Sequence, residues 1–172
     1  MTEWIVDTNV PIVANGKADA GDNRPPSLAC RQAAVAFLLQ IATNEKVVLD
    51  QEGAIQAEYR THLQPSGQPG VGDRFYQIVL QSSPDRVRRV NLPKNSDGEY
   101  KTLPKPLQAV NFDPSDRKFA ALAAQENIPV VNATDSDWLN AAEALKDSDI
   151  VVNNLCGCNI EEWFTKNLQD GQ

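Results

Sequence analysis

Short apolar runs alternate along this chain with longer stretches of helical periodicity, and no other feature limits the fold as strongly. Trp4-Ile5-Val6, Lys46-Val47-Val48-Leu49 and Ile150-Val151-Val152 read as strands, as do residues 86–91 and 128–131. Between them, Ala29, Ala33, Ala34, Phe37, Leu38 and Ile41 recur at 3.6-residue spacing behind Ser27, a residue suited to cap a helix. Further helices are predicted over about 51–62 and 71–81, from Asp113-Pro114-Ser115-Asp116 through Phe119, Leu122 and Ala123, and over 138–145 and 160–168. Strands and helices in this alternation build a parallel sheet covered by helices, so an α/β fold is expected. At 172 residues the chain is expected to form one domain, 1–172, around one core. The Pro/Gly run at 65–70 is a loop, and residues 92–110, with Pro93, Gly98, Pro104 and Pro106, are expected to be an extended connection without regular structure.

A chain of this length buries about two-thirds of its unfolded surface and needs no disulfide to fold. Its three cysteines, Cys30, Cys156 and Cys158, are odd in number, and the single histidine, His62, has no zinc-ligand spacing to any of them. A reducing cytoplasm is the expected location. Cys156-Gly157-Cys158 lacks the spacing of thioredoxin-like sites and reads as small residues in a turn. Met1-Thr2-Glu3 leads directly into the first strand without a signal-peptide pattern, and no stretch approaches the roughly 20 apolar residues of a membrane span, so a soluble protein with no membrane partner is expected.

A net charge of −7 argues against a broad phosphate-binding surface. The basic residues are nevertheless concentrated: 84–118 holds eight Lys and Arg against five Asp and Glu, with an extended basic connection at about 84–112. Arg86, Arg88, Arg89, Arg117 and Lys118 are the candidates there for holding a polyanion such as RNA; a solvated charged loop is the bland reading of the same cluster.

In open α/β sheets ligands bind beyond the carboxyl ends of the strands. Asp7 follows the first strand directly, and Asp135 follows 128–131 by a few residues. An acid at the end of a buried strand is costly unless a partner or cation compensates it, although an Asx turn within Asp7-Thr8-Asn9 answers the same need. Glu58 lies on the helix after the second strand, beside an apolar face, and is either turned to the sheet end or simply exposed. In Asp113-Pro114-Ser115-Asp116 the first Asp fits an N-cap with Pro at N1, leaving Asp116 at N3 free to project. Of Asp135 and Asp137, one can cap the following helix and the other remains available.

Taken in order, Trp4-Ile5-Val6-Asp7-Thr8-Asn9, Glu58-Tyr59, Asp116-Arg117-Lys118-Phe119-Ala120-Ala121-Leu122-Ala123 and Val130-Val131-Asn132-Ala133-Thr134-Asp135-Ser136-Asp137-Trp138 resemble the four acidic motifs of the PIN-domain nucleases. This chain departs from the family pattern at Ala133 and Trp138, where the family often has Thr or Ser and Phe. Its connection from His62 to Asp113 is also longer than in the compact toxin ribonucleases. The resemblance implies a single α/β/α sandwich with a five-stranded parallel sheet in the order 3-2-1-4-5, which sets the first and fourth strands beside the switch point. It also implies cleavage of RNA, a toxin role with an inhibitory antitoxin, and a homodimer as expectations.

The chemistry expected of such a set follows from its donors. Hard cations prefer carboxylates and water, so Mg²⁺ or Mn²⁺ can be held without histidine and can support phosphodiester hydrolysis. Asp7, Asp116 and Asp135 are the expected principal metal ligands, Glu58 completes the catalytic set, and Asp137 is a further ligand. Thr8, Asn9 and Thr134 are expected to support them. Two competing readings remain: a PIN-like module that binds RNA or protein without cutting, and a phosphatase of the haloacid dehalogenase kind, which Asn9 disfavours because that family has Asp two residues after the first. Trp4, Trp138 and Trp163 are assigned to packing rather than base stacking.

Overall fold

The computed structural model describes residues 1–18 and 24–166. Five strands, β1 (Glu3–Val6), β2 (Lys46–Asp50), β3 (Val87–Val90), β4 (Val130–Asn132) and β5 (Val152–Asn154), form one sheet in the order β3-β2-β1-β4-β5, and every neighbouring pair is parallel. Ile5, Val6, Val47, Val48, Leu49, Val130 and Val131 are fully buried, so the central strands are covered on both faces and read as continuous apolar runs. This is the predicted α/β architecture, with the switch point between β1 and β4.

The helices are α1 (Asn9–Ala14), α2 (Leu28–Asn44), α3 (Ala54–His62), α4 (Val71–Gln81), α5 (Lys105–Ala109), α6 (Arg117–Glu126), α7 (Ser136–Asn140) and α8 (Ala142–Asp147). Ser27 caps α2 as predicted, its hydroxyl accepting from the Cys30 amide at 3.2 Å. Asp50, at the end of β2, accepts from the Ala54 and Ile55 amides at 2.7 and 2.9 Å and so starts α3. α4 packs on α1 at close range: a Cβ on Gly72 would lie 1.9 Å from the Pro11 carbonyl oxygen, so only glycine fits there.

Several expectations are corrected. α1 is absent from the sequence reading because its six residues, all buried, show no helical alternation of apolar and polar positions. The connection over 92–110 is not without regular structure, since it contains α5 and an antiparallel bridge between Lys94 and Tyr100. Asp113 caps the turn before α6 rather than the helix itself, accepting from the Ser115 amide at 2.8 Å, and α6 begins at Arg117 with Asp116 immediately before it. The helix predicted over 138–145 is two helices, α7 and α8. Of the helix predicted over 160–168, the described part is one 3-10 turn, Ile160–Glu162, and residues 167–168 lie outside the described residues.

The cysteines are also corrected. Cys30 on α2 and Cys156 after β5 form a disulfide across a separation of 126 residues, leaving Cys158 as the exposed free thiol. The odd count hid this pair, and the argument from cysteines to a reducing compartment does not hold. Among the described residues, no helix is long and apolar enough to cross a membrane.

Candidate metal centre

The site begins where β1 stops. The Asp7 amide continues the β1–β4 ladder by donating to the Val131 carbonyl at 3.0 Å, which fixes the Asp7 side chain beyond the strand end. Asp7 is 4% exposed; one carboxylate oxygen accepts from the Asn9 amide at 3.1 Å and the other from the Trp138 indole at 2.6 Å. The Asx turn and the strand-end acid, weighed as alternatives from sequence, therefore coexist in one residue. Burial, followed by the negative charge of Asp135, pushes Asp7 up to about 7 against the opposing pull of Asn9 and Trp138.

Asp116, entering α6, and Asp135, at the N-cap of α7, close on Asp7 from two other elements. One carboxylate oxygen from each of the three lies within 4.8 Å of the others. Asp116 is 5% exposed, and its Oδ2 is buried without a hydrogen-bond partner among the described residues. Burial, followed by the charges of Asp7 and Asp135, raises Asp116 to about 10. Asp135 accepts from the Asp137 amide at 2.9 Å, so it caps α7 and also belongs to the triad.

Such a set is electrostatically incomplete. Three carboxylates this close repel one another when ionised, and a buried acceptor with no donor loses its solvation without compensation. A divalent cation with oxygen preference answers both conditions, and an all-carboxylate donor set fits Mg²⁺ or Mn²⁺ better than zinc. Asp113, Asp116 and Asp137 also bring oxygens within 4.8 Å of one another, so Asp116 is common to two acidic groupings. Asp113 differs from its neighbours: the Ser115 hydroxyl and amide hold it below the usual carboxylate range, whereas burial raises Asp137.

Glu58 stands at the margin. It reaches the site from α3, accepting from the Thr8 hydroxyl and, at 3.1 Å, from the Lys118 ammonium. It is not one of the close triad, but its charge is felt by Asp7. Tyr59, next to it, donates its hydroxyl to the Val6 carbonyl and so pins α3 against the end of β1.

The loops carrying the acids are held by asparagines. Asn9 donates to Asn132 Oδ1 at 3.0 Å and accepts from the Ala133 and Thr134 amides at 2.8 and 3.0 Å. Asn132, fully buried, in turn donates to the Asp135 carbonyl at 3.0 Å and to Asn154 Oδ1 at 2.9 Å, while its own Oδ1 accepts from the Asp135 amide at 3.0 Å. A chain of amides thus ties β1, β4 and β5 together at their carboxyl ends. Asn132, Asn154 and the Trp138 indole are site residues that the sequence reading missed; for Asn132, a polar residue directly ending the apolar run Val130-Val131 was the available signal. The hydroxyl of Thr134 is buried with no partner among the described residues.

The basic candidates are mostly occupied elsewhere. Arg86 binds the Ala42 and Thr43 carbonyls, and Arg88 pairs with Glu3 at 2.6 Å and Glu126 at 2.8 Å, both near the amino ends of the strands and away from the acids. Arg117 donates to the Phe112 carbonyl at 2.8 Å, with Asn111 and Glu99 beside it, and Arg89 donates to Gln56 at 2.6 Å. Of the five, Lys118 alone bonds to one of the predicted catalytic acids, Glu58.

No protein-family model matches the chain, and no curated protein matches it. Among solved structures it is similar to the crystal structure of VapBC2 from Rickettsia felis bound to a DNA fragment from their promoter, with a TM-score of 0.49 and 14% sequence identity over 89% of this chain and 98% of that one.

Proposed function

We propose that this chain is a metal-dependent ribonuclease of the PIN-domain kind, with Asp7, Asp116 and Asp135 as its metal ligands. The observation that carries the reading is the convergence of these three buried carboxylates at the β1–β4 switch point, with Asp116 Oδ2 left without a donor. The sheet order is the one that the resemblance of the four acidic motifs implies, and the acids of the first, third and fourth motifs are the ones brought together.

When bound, Mg²⁺ or Mn²⁺ supplies charge compensation to the phosphodiester oxygens and makes a neutral-pH water more acidic. The residues of the chain do the rest. Trp138 and the Asn9 amide hold the two oxygens of Asp7 in fixed directions, so the carboxylate does not rotate to seek its own hydrogen bonds. Glu58, fixed by Thr8 and Lys118, is placed to accept a proton from an incoming water at the edge of the triad. Asp137 is an additional oxygen donor on the Asp113 side. Lys118 adds positive charge beside the acids, where a phosphate approaches an otherwise negative surface.

A toxin role, with an inhibitory protein partner and a homodimer, is part of the proposal and rests on the resemblance. The test is cleavage of a mixed RNA pool with and without Mn²⁺ by the wild type and by Asp7→Asn. Mn²⁺-dependent cleavage that Asp7→Asn abolishes supports the reading, whereas RNA binding with no cleavage under any metal assigns the chain to the non-cutting binding class.

A further inference from the structure

Helix α3 has a second polar face. Glu58 looks toward Thr8 and Lys118, while Gln56, Ala57 and Arg60 line a separate cavity of about 410 Å³, completed by Gln51, Gly53, Tyr76 and Arg89. In a chain of net charge −7, no carboxylate lines this cavity and two guanidiniums do. Arg60 makes no hydrogen bond or ion pair among the described residues. Arg89 is anchored through Nη2 alone, to Gln56 Oε1 at 2.6 Å and Ser82 Oγ at 2.8 Å, so its Nε and Nη1 hydrogens are uncommitted and the Gln56 amide nitrogen is available as well.

Tyr76 adds a further donor to the cavity wall. The residue is 3% exposed overall, and its hydroxyl, which makes no hydrogen bond to the described residues, is not among the side-chain oxygens closed off from solvent. The phenol oxygen is thus a donor that solvent reaches, and the ring forms part of the cavity wall. Every uncommitted polar group named here can donate, which suits a ligand that only accepts: the oxygens of a phosphate.

Position decides which phosphate. Arg89 is paired with Leu49 near the end of β3, and Gln51 directly follows β2, so the cavity opens at the same end of the sheet as Asp7 and Asp135, with α3 between them. We infer that this cavity is an anion subsite for a backbone phosphate of the polynucleotide strand, held across α3 from the acids by Arg60, Arg89 and Tyr76. The identity of the strand rests on the ribonuclease reading, whereas the anion subsite rests on the cavity itself.

The experiment uses the full chain and two binding probes in EDTA, inorganic phosphate and a single-stranded oligoribonucleotide, together with Mn²⁺-supported cleavage kinetics. Arg60→Ala is expected to weaken oligonucleotide binding about tenfold and to reduce the dependence of log K on log salt by about 0.7, the change for one lost single-strand phosphate contact. It should raise KM with kcat unchanged, a pattern that loss of structure does not produce. Tyr76→Phe, which keeps the ring and removes only the hydroxyl, should weaken binding by about threefold, and inorganic phosphate should compete with the strand. Wild-type binding and salt slope in both variants overturn the subsite, as does failure of the wild type to bind either probe. Arg60-dependent binding of inorganic phosphate alone overturns the strand assignment. If binding depends on Arg60 but the wild type never cleaves, the subsite stands and the nuclease reading falls.

Discussion

The indole nitrogen of Trp138 donates to Asp7 Oδ2 at 2.6 Å, joining the first residue of the site to a helix 131 positions later in the chain. Trp138 is 1% exposed, so this hydrogen bond is shielded from water and holds the carboxylate in a low-dielectric setting. Packing and orientation are carried by one side chain. Phe112 lies edge-on to the same indole, at 5.1 Å between ring centroids, and fixes its plane.

Trp138→Phe should therefore separate the two roles. The phenyl ring retains most of the apolar contact but cannot donate, and loss of a ligand's outer hydrogen bond typically costs about 10- to 100-fold in metal affinity. A Mn²⁺ titration followed by calorimetry is the check. Unchanged affinity in a folded variant contradicts the orienting role.

Asn9→Ala removes one donor and one doubly used acceptor at the switch point, leaving the buried Ala133 and Thr134 amides without their partner. Each buried group left unsatisfied costs about 1–3 kcal/mol, so a loss of about 2–5 kcal/mol is expected in denaturant unfolding. The loop before Asp135 should loosen with it, and Mn²⁺ affinity should fall as well. Asn9→Asp keeps the acceptor but adds a charge to an already acidic centre, and it should be destabilising most at high pH.

Stability against pH follows from Asp7, raised to about 7, and Asp116, raised to about 10. Unfolded, both titrate near 4. Between those values the metal-free folded state holds more protons than the unfolded state, so these groups contribute stability that is fully present below about pH 4 and lost as pH rises through 7 and toward 10. Thermal melts in EDTA should show Tm falling from pH 5 to pH 9. Mn²⁺ should restore it, with the larger increment at the higher pH. A metal-free Tm rising across that interval contradicts the electrostatic reading of the site.

The Cys30–Cys156 disulfide closes a loop spanning nearly the whole described fold, and a bridge of this kind typically contributes about 2–5 kcal/mol. Thiol titration of the unfolded protein should count one free cysteine before reduction and three after it. The Cys30→Ser/Cys156→Ser pair should melt at a lower temperature than the wild type. Because Asn154, two residues before Cys156, holds Asn132, the double variant is also expected to bind Mn²⁺ more weakly.

What could be read in the chain was local and periodic. Helix α4 was legible to the residue because a loop of Pro and Gly bounds it and its apolar face recurs cleanly. The sheet order came through the motif resemblance, since strand neighbours depend on contacts between distant residues that no short window contains. α1 was hidden because burial on all sides removes periodicity. The disulfide was hidden because an odd cysteine count gives no partner. Asp7, Asp116 and Asp135 were legible as acids beside strand and helix ends, but the Asn9–Asn132–Asn154 chain that sets their loops was not, because asparagine at a strand end looks the same whether it faces solvent or a buried amide.

The most direct test of the central claim is calorimetric titration of Mn²⁺ into the wild type, Asp116→Asn and, as an exposed acidic control on the connecting loop, Asp97→Asn. One cation gathered by Asp7, Asp116 and Asp135 requires wild-type binding that Asp97→Asn retains and Asp116→Asn weakens by about tenfold or more. Equal Mn²⁺ affinity in the wild type and in a folded Asp116→Asn protein contradicts it.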